Sequence, residues 1–337
     1  VDSYVLSVGN EAIETGTRLE GYNWDIYNSI KNLYWQEERN ALGWLKVTYA
    51  GEKENGQFVP WTLTEYIYDG PYGAYGFADN TKTYLYDNSS YNYNGENISE
   101  SHIVSTTKDR IMYEIKNLLS QLVTREAQNN RGWLITRYNG HLDENGEFSE
   151  EKRTDFHYDG KYGKYGISDT AETYITIFDR NKGELFTKSN TISLDKQGNI
   201  LIQINNVVTK ISWQQLQDPH GRITKIFYGL GENNNFIKQR VETREYPGVL
   251  GRLGLAQNTK AWLTQSDGNP YGEPIEADAI LDNNGGKVDA ETVNPKDLFD
   301  ELGNIRYECI KYFYLDANAT VAGPSLIYQE IKDNTGK

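Results

Sequence analysis

Acid/base chemistry needs carboxyl groups held at a fixed separation. A β-strand provides that, because residues i, i+2 and i+4 share one face. In Asp155-Phe156-His157-Tyr158-Asp159 the polar Asp155, His157 and Asp159 alternate with two rings. An earlier segment carries Glu65, Ile67 and Asp69 in the same register, and a later one Thr243, Glu245 and Pro247. Carboxylates two residues apart on a strand lie roughly 6.5 to 7 Å apart, at the lower end of the separation an inverting glycosidase uses. Glu65 and Asp69, like Asp155 and Asp159, stand four residues apart on one face, about twice that separation, and are the acids a carbohydrate-active hydrolase or lyase would use. The solvated face of any sheet carries the same alternation, so the plainer reading of these acids is structural.

Recognition is the second chemistry on offer. Tyr68-Asp69-Gly70-Pro71-Tyr72-Gly73-Ala74-Tyr75-Gly76 returns as Tyr158-Asp159-Gly160-Lys161-Tyr162-Gly163-Lys164-Tyr165-Gly166. Tyr72, Tyr75, Tyr162 and Tyr165 could stack on sugar faces from one rim, with Asp69 or Asp159 accepting hydroxyl hydrogens. The opposing reading makes these rings internal latches, because a third version, Tyr246 to Gly254, puts Val249, Leu250 and Leu253 in their place. Trp44 and Trp133 carry the same ambiguity between platform and core anchor.

Other chemistries are excluded by composition and spacing. The four histidines, His102, His141, His157 and His220, fall at different phases of the repeat with no HExxH pattern, so no zinc centre is expected. The YGxYG segment lacks the Lys-Ser/Thr ending of a phosphate loop. One cysteine, Cys309, permits neither an intrachain disulfide nor a thiolate cluster, and its strand-like setting gives no sign of a nucleophile. No cofactor is expected; a structural calcium ion is admitted by the oxygen-rich turns Asp143–Glu147, Asp179–Glu184 and Asp282–Asn284, none of which completes an EF-hand loop. The net charge of −14 argues against nucleic acid, and no apolar run is long enough for a transmembrane helix. Asn88-Ser89-Ser90, Asn97-Ile98-Ser99 and Asn318-Ala319-Thr320 match glycan acceptor triplets.

The elements that must position these residues are repeated. Gly43-Trp44-Leu45, Gly132-Trp133-Leu134 and Gly221-Arg222-Ile223 begin equivalent strands 89 residues apart, with the apolar register kept. Each is followed by a polar hairpin connector, then by the YG buckle, then by Thr83-Tyr84-Leu85, Thr173-Tyr174-Ile175 or Ala261-Trp262-Leu263. The chain thus reads as mainly β, in tandem repeats of about 88–90 residues. A partial segment occupies 1–42, repeats occupy 43–131, 132–220 and a divergent 221–302, and a partial copy occupies 303–337. If each repeat were a pair of propeller blades, three and a half repeats would close a seven-bladed ring, with 303–337 packing against the N-terminal segment. An open β-repeat array or a solenoid is the alternative. Toward the rear of the repeat, Ile111, Ile115, Leu118, Leu119 and Leu122 have helical spacing whereas Ile200, Ile202 and Ile204 alternate like a strand, which leaves that element open.

Repetition, 13% aromatic residues and the lack of a coherent catalytic set predict noncatalytic recognition of carbohydrate or another extended polar ligand by a secreted or cell-surface protein. The alternatives are the carboxylate enzyme and a structural scaffold that binds a protein partner.

Overall fold

The computed structural model describes residues 2–8, 21–86, 95–176, 183–231, 235–265, 269–314 and 321–332. Two units divide the chain: 1–118, 123–134 and 196–198 form the first, and 119–122, 135–195 and 199–337 the second. The first runs β1 (Asp2–Val8), β2 (Gly21–Asn28), β3 (Leu33–Asn40), β4 (Leu45–Glu54), β5 (Gln57–Ile67), β6 (Asn80–Leu85), β7 (Asn97–Thr107), β8 (Arg110–Asn117) and β9 (Val123–Asn129). The second runs β10 (Leu134–Leu142), β11 (Phe148–His157), β12 (Thr170–Ile175), β13 (Glu184–Leu194), β14 (Ile200–Asn206), β15 (Ser212–Gln217) and β16 (Ile223–Leu230). It continues with β17 (Ile237–Glu245), β18 (Gln257–Thr264), β19 (Pro270–Leu281), β20 (Ile305–Tyr314) and β21 (Val321–Lys332).

Within each unit every strand pairs antiparallel with the next in sequence. This overturns the closed propeller-like ring. A propeller requires breaks between four-stranded blades, but β4 to β9 and β10 to β15 are uninterrupted six-strand runs, one per repeat. A ring also requires a second neighbour for its first and last strands, yet among the described residues β1 pairs only with β2 and β21 only with β20. The open repeat array stands in its place.

The rear element is a strand in both full copies: β8 pairs on both sides, as does β14. The helical spacing of Ile111 to Leu122 spans a strand and the turn after it, where Gln121 takes a positive φ of 56°. The divergent third copy is shorter. After β16 to β19 it replaces the last hairpin with an irregular passage, and Leu250, Ile280, Leu298 and Ile305 form a buried apolar cluster there.

Register is set at the turns. Before β4, β10, β16 and β20 the chain reads Asn40-Ala41-Leu42-Gly43-Trp44, Asn129-Asn130-Arg131-Gly132-Trp133, Asp218-Pro219-His220-Gly221-Arg222 and Asp300-Glu301-Leu302-Gly303-Asn304. In each, the first side chain accepts from two amides, two and four residues on: 2.9 and 3.0 Å at Asn40, 2.9 and 3.0 Å at Asn129, 3.0 and 2.9 Å at Asp218, 2.9 and 2.8 Å at Asp300. The glycines have φ of 83°, 74°, 82° and 81°. These hydrogen bonds occupy the amides that a two-strand ladder leaves unpaired at its tip.

A Cβ built on Gly221 meets nothing within 4 Å, so its φ of 82° is its only constraint. Gly221→Ala is expected to cost about 1–2 kcal/mol, and Gly221→Asn less, because Asn visits the left-handed region more readily. Urea-unfolding midpoints check this; equal losses in both variants would show that backbone conformation is not what the glycine supplies.

Candidate functional site

The YG buckle links β5 to β6 and β11 to β12, and a carboxylate holds it. Asp79 accepts from the amides of Gly70 and Tyr72 at 2.9 and 2.8 Å. Asp169 accepts from Gly160, Tyr162 and Gly163 at 2.9, 2.7 and 2.8 Å. The chain wraps so closely that a Cβ on Gly73 would sit 2.5 Å from the Tyr68 carbonyl oxygen, and one on Gly163 2.0 Å from that of Tyr158. Short 3-10 turns, Gly73–Tyr75 and Gly163–Tyr165, end on left-handed Gly76 and Gly166. In the third copy Gln257 stands where the Asp would be and accepts from the Ile280 amide at 2.7 Å, while the buckle becomes a short helix, Gly248–Arg252. The carboxylate anchor and the buckle's paired tyrosines are lost together in this copy.

The four tyrosines occupy different environments. Tyr162 is buried and its hydroxyl donates to the Ile192 carbonyl at 2.9 Å. Tyr72 is half-buried. Tyr75 is 78% exposed, and Tyr165 is 40% exposed with the Lys164 ammonium 4.8 Å from its ring centre. Trp44 stacks on Tyr68 with ring centres 5.2 Å apart, and the backbone of Gly76 passes beside it.

Among the acids, Asp69 and Asp159 lie just beyond β5 and β11 and are exposed. Asn80 Nδ2 reaches Asp69 Oδ1 at 3.4 Å. Asp155 Oδ2 is 3.2 Å from Arg153 Nε. Glu65 lies opposite Lys82 and accepts a hydrogen bond from the Tyr84 hydroxyl. His157 is exposed at the end of β11.

Strand register assembles a group that local spacing does not reveal. Glu65, Lys82, Glu100 and Lys116 lie directly opposite one another on β5 to β8, alternating in sign. Lys82 Nζ is 3.7 Å from Glu100 Oε1, and both side chains are nearly half exposed. The adjacent row is Ile67, Asn80, His102, Glu114 and Arg125. There Arg125 pairs with Glu114 at 2.8 Å and His102 Nε2 lies 3.9 Å from the same carboxylate. Between them is a polar depression of about 400 Å³ whose wall includes Asp69, Lys82, Glu100, His102, Glu114 and Lys116 and whose lining contains no Tyr, Trp or Phe.

The second copy builds the same two rows from other residues. Asp155, Glu172, Lys188 and Asn205 form one. The other contains Gln203 and Gln214, which are buried and joined by a 2.9 Å hydrogen bond. Glu172 is held by Lys188 at 2.8 Å and by the Tyr174 hydroxyl at 2.7 Å, and these hydrogen bonds bring its carboxyl below the usual range. On the opposite face Thr64 and Thr83, and likewise Thr154 and Thr173, join hydroxyls at 3.0 and 3.1 Å.

Among the described residues no group of three or more His, Cys, Asp or Glu side chains is arranged to hold a metal. Asp143 and Asp282, from the turns considered for calcium, each accept from two turn amides. The third such turn, and the triplets at Asn88 and Asn318, lie wholly or partly outside the described residues, whereas Asn97 opens β7 and donates to Glu100 at 2.9 Å. Cys309 is buried opposite Asp278 and Tyr328; burial, then hydrogen bonding to Glu330 and the Asp278 charge, push its thiol up to about 12. No helix among the described residues is long and apolar enough to cross a membrane.

No protein-family model matches the chain, and neither does any curated protein. Among solved structures, one similar chain is a porin-like protein from Bacteroides uniformis, 9% identical over 91% of each chain with a TM-score of 0.27. The class defined by the fold is that of a β-rich repeat protein.

Asp169→Ala removes three charge-assisted hydrogen bonds and is expected to cost about 3 kcal/mol. Hydrogen exchange at Gly160, Tyr162 and Gly163 should accelerate before exchange in β11; unchanged protection would show that the glycines hold the buckle alone. Glu172 supplies a pH dependence. Because its folded pKa is depressed, its contribution is full above its ordinary value of 4.5 and is lost as pH falls through the lower folded value. Glu172→Gln should flatten that part of the acid-unfolding curve, and an unaltered curve would exclude the linkage.

Proposed function

We propose that this protein is a noncatalytic interaction scaffold, and that the mixed-charge face of β5 to β8 receives a polar polypeptide partner carrying charges of both signs. The observation that supports this most directly is the ladder Glu65, Lys82, Glu100, Lys116, in register across four strands and open to solvent at Lys82 and Glu100. Exposed pairs of this kind add little to stability, so their charges remain available to a partner that supplies the complementary pattern. A lining without Tyr, Trp or Phe suits a polypeptide better than a sugar ring, which binds by stacking. A site at the cell surface or outside the cell belongs to the same proposal.

Carbohydrate recognition is a second reading, favoured by one observation: Tyr75 projects at 78% exposure from the same buckle that carries exposed Asp69. Tyr165 and Asp159 would be the corresponding pair in the second copy, with Tyr72 and Tyr162 serving from beneath. The carboxylate enzyme is less well supported, since Glu65 and Asp155 are each engaged by a neighbouring side chain.

The test is fluorescence anisotropy with labelled peptides of equal length that are all-Lys, all-Glu or mixed, alongside a glycan array. The mixed peptide should bind best, and Lys82→Glu with Lys116→Glu should weaken it at least tenfold while leaving the circular dichroism unchanged. Glycan binding abolished by Tyr75→Ala, with no preference among the peptides, would move the function to the buckle rim.

A further inference from the structure

Among the described residues β21 stands as an edge strand: residues 321–332 pair with β20 and with no other described strand. Backbone N–H and C=O groups on the outer side of an edge strand are met best by another extended strand. Native edges are commonly blunted by inward charges or prolines. Here the only proline is Pro324, near the start of the strand, and beyond it large apolar side chains are exposed: Ile327 and Ile331 on one face at 56% and 52%, and Leu326 on the other at 48%.

The sequence of that stretch specifies which strand fits. Ser325-Leu326-Ile327-Tyr328-Gln329-Glu330-Ile331-Lys332 has Ile327 and Ile331 placed symmetrically about Gln329, all three on one face. We propose that β21 pairs antiparallel with β21 of a second copy of this chain, with the two-fold axis at Gln329.

In that register each Ile327 faces Ile331 of the second copy and Gln329 faces its own counterpart, so one face carries four isoleucines around two amides. On the other face Tyr328 meets Glu330 and Leu326 meets Lys332, with no like charges opposed. Neighbouring registers are worse. Moving the axis to Glu330 sets two carboxylates opposite each other. Moving it to Tyr328 brings Pro324, which has no N–H to give, opposite Lys332. Placing the axis between residues would oppose odd with even positions, whose side chains lie on opposite faces, and would set Ile327 against Glu330 or Lys332. The self-pairing is isologous, so at this edge it closes at two copies.

Light scattering after size exclusion should give twice the chain mass for the unaltered protein, and the double variant Ile327→Lys, Ile331→Lys should return the mass of one chain with the β-sheet circular dichroism retained. Register is tested separately by oxidative crosslinking. Gln329→Cys faces itself across the axis and should form an intermolecular disulfide, while Glu330→Cys, facing Tyr328, should not. A single-chain mass for the unaltered protein at every concentration tried would overturn the proposal. So would a dimer that survives both lysines, or one in which Glu330→Cys crosslinks as well as Gln329→Cys.

Discussion

Each repeat of this sheet begins with one small interaction, an Asn or Asp side chain that accepts from two amides across a five-residue turn closed by a left-handed glycine. In a two-layer domain, strand register is enforced by the core: a slip of one residue exchanges the buried and wet faces at large cost. Here many strand positions on both faces are only partly buried and polar side chains line much of each, so that penalty is small. The turn takes over the task. Because the Asx oxygen counts residues by hydrogen bonding to the second and fourth amides, it admits one loop length and therefore one pairing of the strands on either side. The same device recurs at Asp143 and Asp282, and Asp195 likewise accepts from the amide four residues on.

With register fixed locally, side chains across the sheet are free to vary so long as each row stays satisfied. The first copy fills its second row with Arg125, Glu114 and His102, and the second copy fills the equivalent row with side-chain amides, Gln214 donating to Gln203. The third copy follows a different solution: it gives up the Asp anchor of the buckle, shortens the repeat and buries Leu250 and Leu298 instead. A polar network and an apolar cluster are alternative ways of satisfying the same stretch of backbone. The chain contains both, and the exposed ladder of the first copy is the version in which charges are left accessible.

Much of the fold was legible in the sequence, and the exceptions have physical causes. The 89-residue offset, the polar hairpin connectors and the buckle glycines were readable because positive φ and close backbone approach restrict residue choice. The sixth strand of each repeat was not, because β15, Ser212–Gln217, alternates polar residues with Trp213 and Leu216 too irregularly to give a clean period of two. Closure was misread because a repeat length fixes how much chain recurs, whereas a ring depends on where the sheet is interrupted, which no residue announces. Of the candidate site, Asp69 was found from the buckle. Lys82, Glu100, His102, Glu114 and Lys116 come from three separate strands, and only the pairing register brings them together.

Cys309 carries a practical consequence. Its proton is held so tightly by burial and by the neighbouring Asp278 and Glu330 that almost no thiolate exists at neutral pH, and thiolate is the form that alkylating dyes and spin labels attack. The native protein is thus nearly silent to thiol chemistry. Any cysteine placed in one of the hairpin turns would be the single bright position in the chain, so pairs of such positions could serve as distance rulers along the repeat without first removing the natural one.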